Sequence, residues 1–353
     1  MKTESSFANI KTQLTRRRFL KLSGWVGLGM ATPLLMPVGA EAVRYNRKLY
    51  KVSETRLDMG TFVSMTLIHP SRDQAQEAMG LAFEEIGRLT RLMNRFSQNT
   101  AVGLLNHEGK LKHVPPEVSQ VIRQALYYFK ITNGAFDITV KPIVDLYMER
   151  FSKGNKQPPS EAELHQLLQR VGAENIILEG HTIQFKKEGM GVTLDGIAKG
   201  YIVDQASKIL SNHGIANHLI NAGGDIRTAG HAKGSRPWTI AIQDPMKKRH
   251  YPDIIRMSSG AIATSGNYEV YFDREKMFHH IVNPKTGHSP LETTSASVIA
   301  KTTLQADALS TSVFVMSPTQ GTRFINALGG CECLLITRGN KILKSAGWKS
   351  ATT

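Results

Sequence analysis

The chain has 353 residues, 41% hydrophobic and 21% charged, with a formal net charge of +15 at pH 7. Its lysines and arginines are scattered, with no DNA-binding signature and no dense basic helix, which excludes nucleic acid as a partner. The excess positive charge reads as a solvated surface, or as attraction to a polyphosphate ligand or an anionic membrane face.

Residues 15–21 read Thr-Arg-Arg-Arg-Phe-Leu-Lys, and an uncharged, mostly apolar run from Leu22 to Pro37 follows. Consecutive arginines before a short apolar stretch mark a twin-arginine export signal. The run has too many Gly, Ser, Thr and Pro for a strong membrane span. Ala40-Glu41-Ala42 has the small-residue spacing of a cleavage site, so residues 1–42 are read as the signal and 43–353 as one periplasmic domain. Residues 1–42 hold a net +4, leaving about +11 on the remainder.

Leu57–Ile68 alternates around Met59-Gly60-Thr61, as two strands or one bent strand. Ser71 caps an amphipathic helix to about Asn94, and Pro115-Pro116 opens another that stops near Asn133-Gly134. Asn155–Ser160 is a polar loop before a helix near Glu161–Arg170. Thr182–Phe185 and Gly191–Leu194 are strand-like, and a helix runs from Ala198 to Asn212, closed by His213-Gly214. Short strand-like runs then continue to about Ala300, including one that leads through His279-His280 into an Asn-Pro turn. Helices near Leu304–Met316 and Thr319–Leu328 precede a closing hairpin, Cys333–Thr337 with Lys341–Lys344. Cys331-Glu332-Cys333 suits neither an ordinary disulfide nor a zinc site and reads as two half-buried strand residues. There is no strict βαβ alternation. The fold class is α+β, with mixed, mainly antiparallel sheets and packed helices.

Three Gly-rich segments could bring backbone N–H groups to phosphate oxygens: Asp195–Gly200, Asn221–Asp225 and Thr264–Asn267. Each is equally usable as an ordinary turn. There is no GxxxxGK[ST] loop and no strand–GxGxxG–helix unit, which disfavours P-loop and Rossmann nucleotide sites. On a helix, Asp307 and Thr311 share a face and suit Mg²⁺, although a helix-terminal Asp with an ordinary Thr fits as well. His280 reads as a general acid–base or phosphate donor, or equally as a half-buried structural histidine.

Taken in order, Met59–Thr61, Gly134–Val140, Gly196–Tyr201, Asn221–Ile226, Thr264–Tyr268, His280–Gly287 and Ala306–Thr311 resemble the motifs of the ApbE family of periplasmic FAD:protein FMN transferases. The resemblance spans about residues 50–345. It implies Mg²⁺-dependent transfer of FMN from FAD to a Ser/Thr hydroxyl of a target protein, with release of AMP. The implied target has a Ser/Thr-Gly-Ala-Ser/Thr-like acceptor and is a membrane redox-complex subunit or a regulator of nitrous-oxide respiration. Carried over by position, Met59, Phe96, Ala135, Phe136, Asp137, Lys199 and His280 contact FAD. His280 and Asp307 carry the catalysis. Asp307 and Thr311 hold the metal with a main-chain oxygen near Gly196.

Four positions depart from the family pattern. Thr193 stands where many members have Asp, Asp195 where they have Gly, Phe96 where they have Tyr, and Ser310 where some have a further acid. The Thr-Leu-Asp-Gly-Ile-Ala-Lys-Gly version resembles the subgroup linked to nitrous-oxide reductase maturation. The alternatives are a periplasmic FAD-binding accessory or flavin donor, and an FAD pyrophosphatase yielding FMN and AMP.

Overall fold

A computed structural model describes residues 41–351, apart from 46–47, 153–156, 247–250 and 274–276. Nearly all of the expected export signal therefore lies outside the described residues, as does part of the Asn155–Ser160 loop. The first described strand, β1 (Glu41–Arg44), pairs with β2 (Tyr50–Asp58), so cleavage before Val43 would fall inside an edge strand. Among the described residues, no helix is long and apolar enough to cross a membrane.

Leu57–Ile68 resolves into two strands. β2 and β3 (Thr61–His69) form a hairpin whose turn residues, Met59 and Gly60, both have positive φ, 50° and 72°. That backbone matches the twist of the flanking strands. The helix Arg72–Met93 follows, with the Ser71 hydroxyl accepting from the Gln74 N–H as expected. Helix Ala101–Glu108 was not anticipated. Thr100 caps it, and Gly109 ends it with φ 69°. Next come β4 (Lys110–Lys112), helix Pro116–Ile131, a 3₁₀ turn at Ile138–Val140 and an unanticipated helix, Lys141–Ser152. Helix Glu161–Leu168 starts with a Ser160/Glu163 capping box.

β5 (Ile176–Glu179) and β6 (Thr182–Phe185) join β4 in a small sheet. Gly191–Leu194 is not a strand. The Asn106 side chain bonds both the N–H and the C=O of Val192, and Thr193 N–H donates to Ile138 O. A side chain thus replaces the neighbouring strand. Helix Ala198–Asn212, β7 (Asn217–Ala222), β8 (Asp225–Ala229), β9 (Trp238–Ala241), β10 (Ile254–Met257), β11 (Gly260–Gly266) and β12 (Thr293–Ala300) follow. Helices Thr303–Val315 and Pro318–Leu328 lead to β13 (Glu332–Thr337) and β14 (Ile342–Lys344).

Within the described residues the main sheet has the order β1-β2-β3-β7-β8-β11-β12-β13-β14, and every strand pair is antiparallel. The fold is α+β, as the sequence implied. Alternation assigns the two faces. Ala261, Ala263, Cys333 and Leu335 point into the main core, while Ile262, Leu334 and Ile336 point into a second one. Helices Arg72–Met93, Ala198–Asn212 and Thr303–Val315 pack side by side over the first face. The β9–β10 pair and Trp348 cover the second. Cys331 and Cys333 are fully buried rather than half-buried, and both are free thiols. The segment leading through His279-His280 is not a strand either. His279 makes one isolated bridge to Tyr271. Two backbone bonds flank it, from Phe272 N–H to Phe278 O at 2.8 Å and from His280 N–H to Val270 O at 3.3 Å, and Phe272 and Phe278 lie against Tyr147 and Phe151, with centroids 5.4–6.0 Å apart.

Candidate active site

The Thr303–Val315 helix is buried on almost all sides, which places its two polar stripe residues inside the protein instead of at its surface. At its open side lies a cleft. Of the residues singled out from sequence, Ala135, Phe136, Asp137, Gly196, Lys199, His280, Asp307 and Thr311 line it. Met59 and Phe96 do not. Met59 sits in the β2–β3 turn, next to Thr61, whose hydroxyl would lie 2.4 Å from a Cβ at Gly223. Phe96 is 69% exposed and connects to the cleft through Arg95. The Arg95 guanidinium lies 4.3 Å from the Phe96 ring centroid and pairs with Asp195 at 3.3 Å and Asp145 at 2.7 Å.

Asp307 accepts a hydrogen bond from Gly200 N–H at 3.0 Å. Glycine is required there, because a Cβ at residue 200 would come 2.4 Å from Thr303 O, where the two helices cross. One turn on from Asp307, the Thr311 hydroxyl lies 3.3 Å from Ser265 Oγ, which is 2.8 Å from Ser310 Oγ. Ser310 in turn donates to Asp307 O at 2.9 Å. A Cβ at Gly196 would stand 3.0 Å from Thr311 Oγ1, so the Gly196 backbone abuts that hydroxyl. The three expected metal donors are therefore neighbours.

Burial and the nearby Asp225 charge raise the Asp307 pKa well above its ordinary value, against Lys199 and the Gly200 N–H. A buried acid compensated this poorly fits a hard divalent cation held by oxygen ligands. Among the described residues, no group of three or more His, Cys, Asp and Glu could hold a metal ion; the expected donors are one carboxylate, a hydroxyl and main chain.

Lys199 opens its helix and lies 3.4 Å from Asp225 Oδ2. Burial would lower its pKa, but Asp225, Glu269 and Asp307 outweigh that and raise it, so the ammonium stays charged. Burial pushes the Asp225 carboxyl up to about 6 against the pull of Lys199. Asp225 and Glu269 were not expected as site residues. The Gly-Gly turn before Asp225 was the available signal, since φ of 59° and 101° at Gly223 and Gly224 aims the next residue into the cleft.

His280 faces this cluster. Its Nδ1 lies 2.9 Å from Val270 O, a group that can only accept, so Nδ1 carries the proton and Nε2 keeps its lone pair. Burial lowers its pKa, against the Val270 bond and the Asp195 charge, and leaves a neutral imidazole. Asp137 is different. Its carboxylate is turned inward, accepting from Thr139 N–H at 2.8 Å, Thr139 Oγ1 at 2.6 Å and Ala173 N–H at 3.2 Å. It shapes the cleft wall, with its side-chain oxygens already engaged.

A charged ammonium, an under-compensated buried acid, a chain of hydroxyls and a neutral imidazole around one cleft suit group transfer on a phosphate-bearing substrate. Residues 59–335 match the model of the ApbE family, and the chain belongs to that family. It is 33% identical to the FAD:protein FMN transferase of Haemophilus influenzae over 64% of this chain and 65% of the relative. It is 32% identical to that of Vibrio cholerae over 65% of this chain and 67% of the relative. The aligned chain thus spans about two thirds of the length of either relative. Among solved structures, the ApbE protein of Thermotoga maritima superimposes with a TM-score of 0.76 at 29% identity, covering 84% of this chain and 97% of that one. The flavin transferase ApbE of Vibrio cholerae gives 0.71 at 27% identity, covering 87% and 98%.

Proposed function

We propose that this protein is an FAD:protein FMN transferase that moves the FMN half of FAD onto a Ser or Thr hydroxyl of a target protein. The observation that carries this reading is the joint placement of Lys199, Asp307, Thr311 and the free Nε2 of His280 on one cleft in an ApbE-family fold. Lys199 would bind and orient the pyrophosphate and offset its charge. The Asp307 carboxylate, the Thr311 hydroxyl and main chain near Gly196 would hold Mg²⁺, which supplies charge neutralisation at the phosphates. Ser265 and Ser310 fix the direction of the Thr311 hydroxyl. His280 Nε2 would take the proton of the acceptor hydroxyl as its oxygen bonds to the FMN phosphorus. The bond from that phosphorus to the bridging oxygen breaks, and AMP leaves with that oxygen.

Water in place of the hydroxyl would make the same site a pyrophosphatase, so the test must weigh the acceptor. FAD, Mg²⁺ and a domain bearing a Ser/Thr-Gly-Ala-Ser/Thr segment should give an acceptor heavier by one FMN moiety and one equivalent of AMP. AMP and free FMN with an unmodified acceptor would refute transfer. The expected acceptor is a membrane redox-complex subunit or a regulator of nitrous-oxide respiration.

This chain is not expected to be its own acceptor. The nearest match, Ser259-Gly260-Ala261-Ile262, has Ala261 and Ile262 buried within β11. The expected place of action is the periplasm, reached by the twin-arginine route. Changing Arg16 and Arg17 to Lys should strand precursor in the cytoplasm, and unchanged export would remove that assignment.

A further inference from the structure

Asp225 has no part in the steps above, yet the fold aims it at the cleft. It is 1% exposed, and its Oδ2 lies 3.4 Å from the Lys199 ammonium, a long contact for a buried ion pair. Burying a carboxylate is costlier than burying an amide of the same shape. The backbone also commits to the placement. Gly223 and Gly224 make the turn, and Asn221 Oδ1 accepts from Gly224 N–H at 3.0 Å.

We infer that Asp225 is a positioning residue that holds the Lys199 ammonium in reserve and makes entry of the polyanionic substrate conditional on a divalent cation. The argument is one of charge. Asp225, Asp307 and Glu269 face Lys199 in one cleft, and these acids exceed the lysine by two charges when all are ionised, the charge of a single divalent cation. Without the cation, the acids repel a pyrophosphate and Asp225 retains the lysine. With it, that local excess is offset and Lys199 is free to turn to the phosphates. Binding of substrate and cation is thereby coupled, and the coupling runs through Asp225.

The inference rests on the FAD reading. Its test is Asp225→Asn, which keeps the shape and removes the charge, with two binding measurements that do not depend on turnover. FAD affinity in EDTA, read by flavin fluorescence, should tighten roughly tenfold, because one repelling charge is gone and Lys199 is released. Mg²⁺ affinity of the FAD complex should weaken roughly tenfold. Opposite shifts are the signature, since a loosened cleft would weaken both. Asp225→Ser, smaller and equally neutral, should reproduce them if the Asn variant folds poorly. Equal losses in both affinities, or no change in either, overturn the role of Asp225 and leave the functional reading intact. If wild-type protein binds FAD neither with nor without Mg²⁺, the functional reading falls and this inference with it.

Discussion

Asp253 and Asp307 are both buried aspartates, and they behave in opposite ways. Asp253 accepts from Trp348 Nε1 at 2.8 Å, Ser350 Oγ at 2.6 Å and Ile254 N–H at 2.7 Å, and pairs with Lys344 Nζ at 2.7 Å. Burial would raise its pKa, but these donors hold it down at about 2. It ties the start of β10 to the C-terminal segment and closes the second core. Asp307 has the Gly200 N–H, a like charge nearby, and a pKa pushed up. At Asp253 the fold supplies enough donors to outweigh burial. In the cleft the fold leaves that compensation incomplete, and the remainder is available to a ligand.

The largest expected effect is at the under-compensated end. Asp307→Ala should lower FMN transfer by about 10³-fold or more, followed as mass gain of the acceptor, because the anionic metal ligand is lost. Wild-type rates at limiting Mg²⁺ would dissolve the contrast with Asp253.

His280→Ala should lower transfer by roughly 10²–10⁴-fold while FAD binding suffers far less. If FAD affinity alone changes, His280 is a binding residue. His279 is fully buried, with its ring edge-on to Phe314 at 5.5 Å, so His279→Ala should cost about 1–3 kcal/mol of stability. The exposed His107 is the better control, and His107→Ala should leave both activity and stability unchanged.

Asp253→Asn sharpens the comparison from the structural side. It should cost about 2–3 kcal/mol of stability with little change in turnover per folded molecule. An unchanged urea midpoint would make Asp253 incidental.

The smallest effect is in pH. The folded pKa of Asp253 lies below its ordinary 3.8, so its contribution is present above that value and is lost as pH falls through about 2. Urea midpoints of wild type and Asp253→Asn should differ at pH 6 and draw together between about pH 4 and 2. A constant gap across that window would contradict the assigned depression.

Local pattern made much of this fold legible. The Arg72–Met93 helix follows from its apolar stripe and Ser71 cap, the β2–β3 turn from Met59-Gly60, and the Pro116–Ile131 stop from Asn133-Gly134, with φ of 52° and 78°. Helices Ala101–Glu108 and Lys141–Ser152 were missed because short helices take their stability from packing more than from propensity. Gly191–Leu194 misled because Asn106, distant in sequence, satisfies its backbone in place of a strand.

By itself, then, the sequence determined the α+β class, the family motifs and the identities of Lys199, His280, Asp307 and Thr311, since these follow from periodicity, turn chemistry and residue type. Tertiary structure alone decided which of them meet. It turned the Asp137 oxygens inward, kept Phe96 at the surface, and set Asp225 against Lys199. Whether a buried charge is satisfied or left for a ligand depends on donors contributed by distant segments, and one segment's sequence does not contain that information.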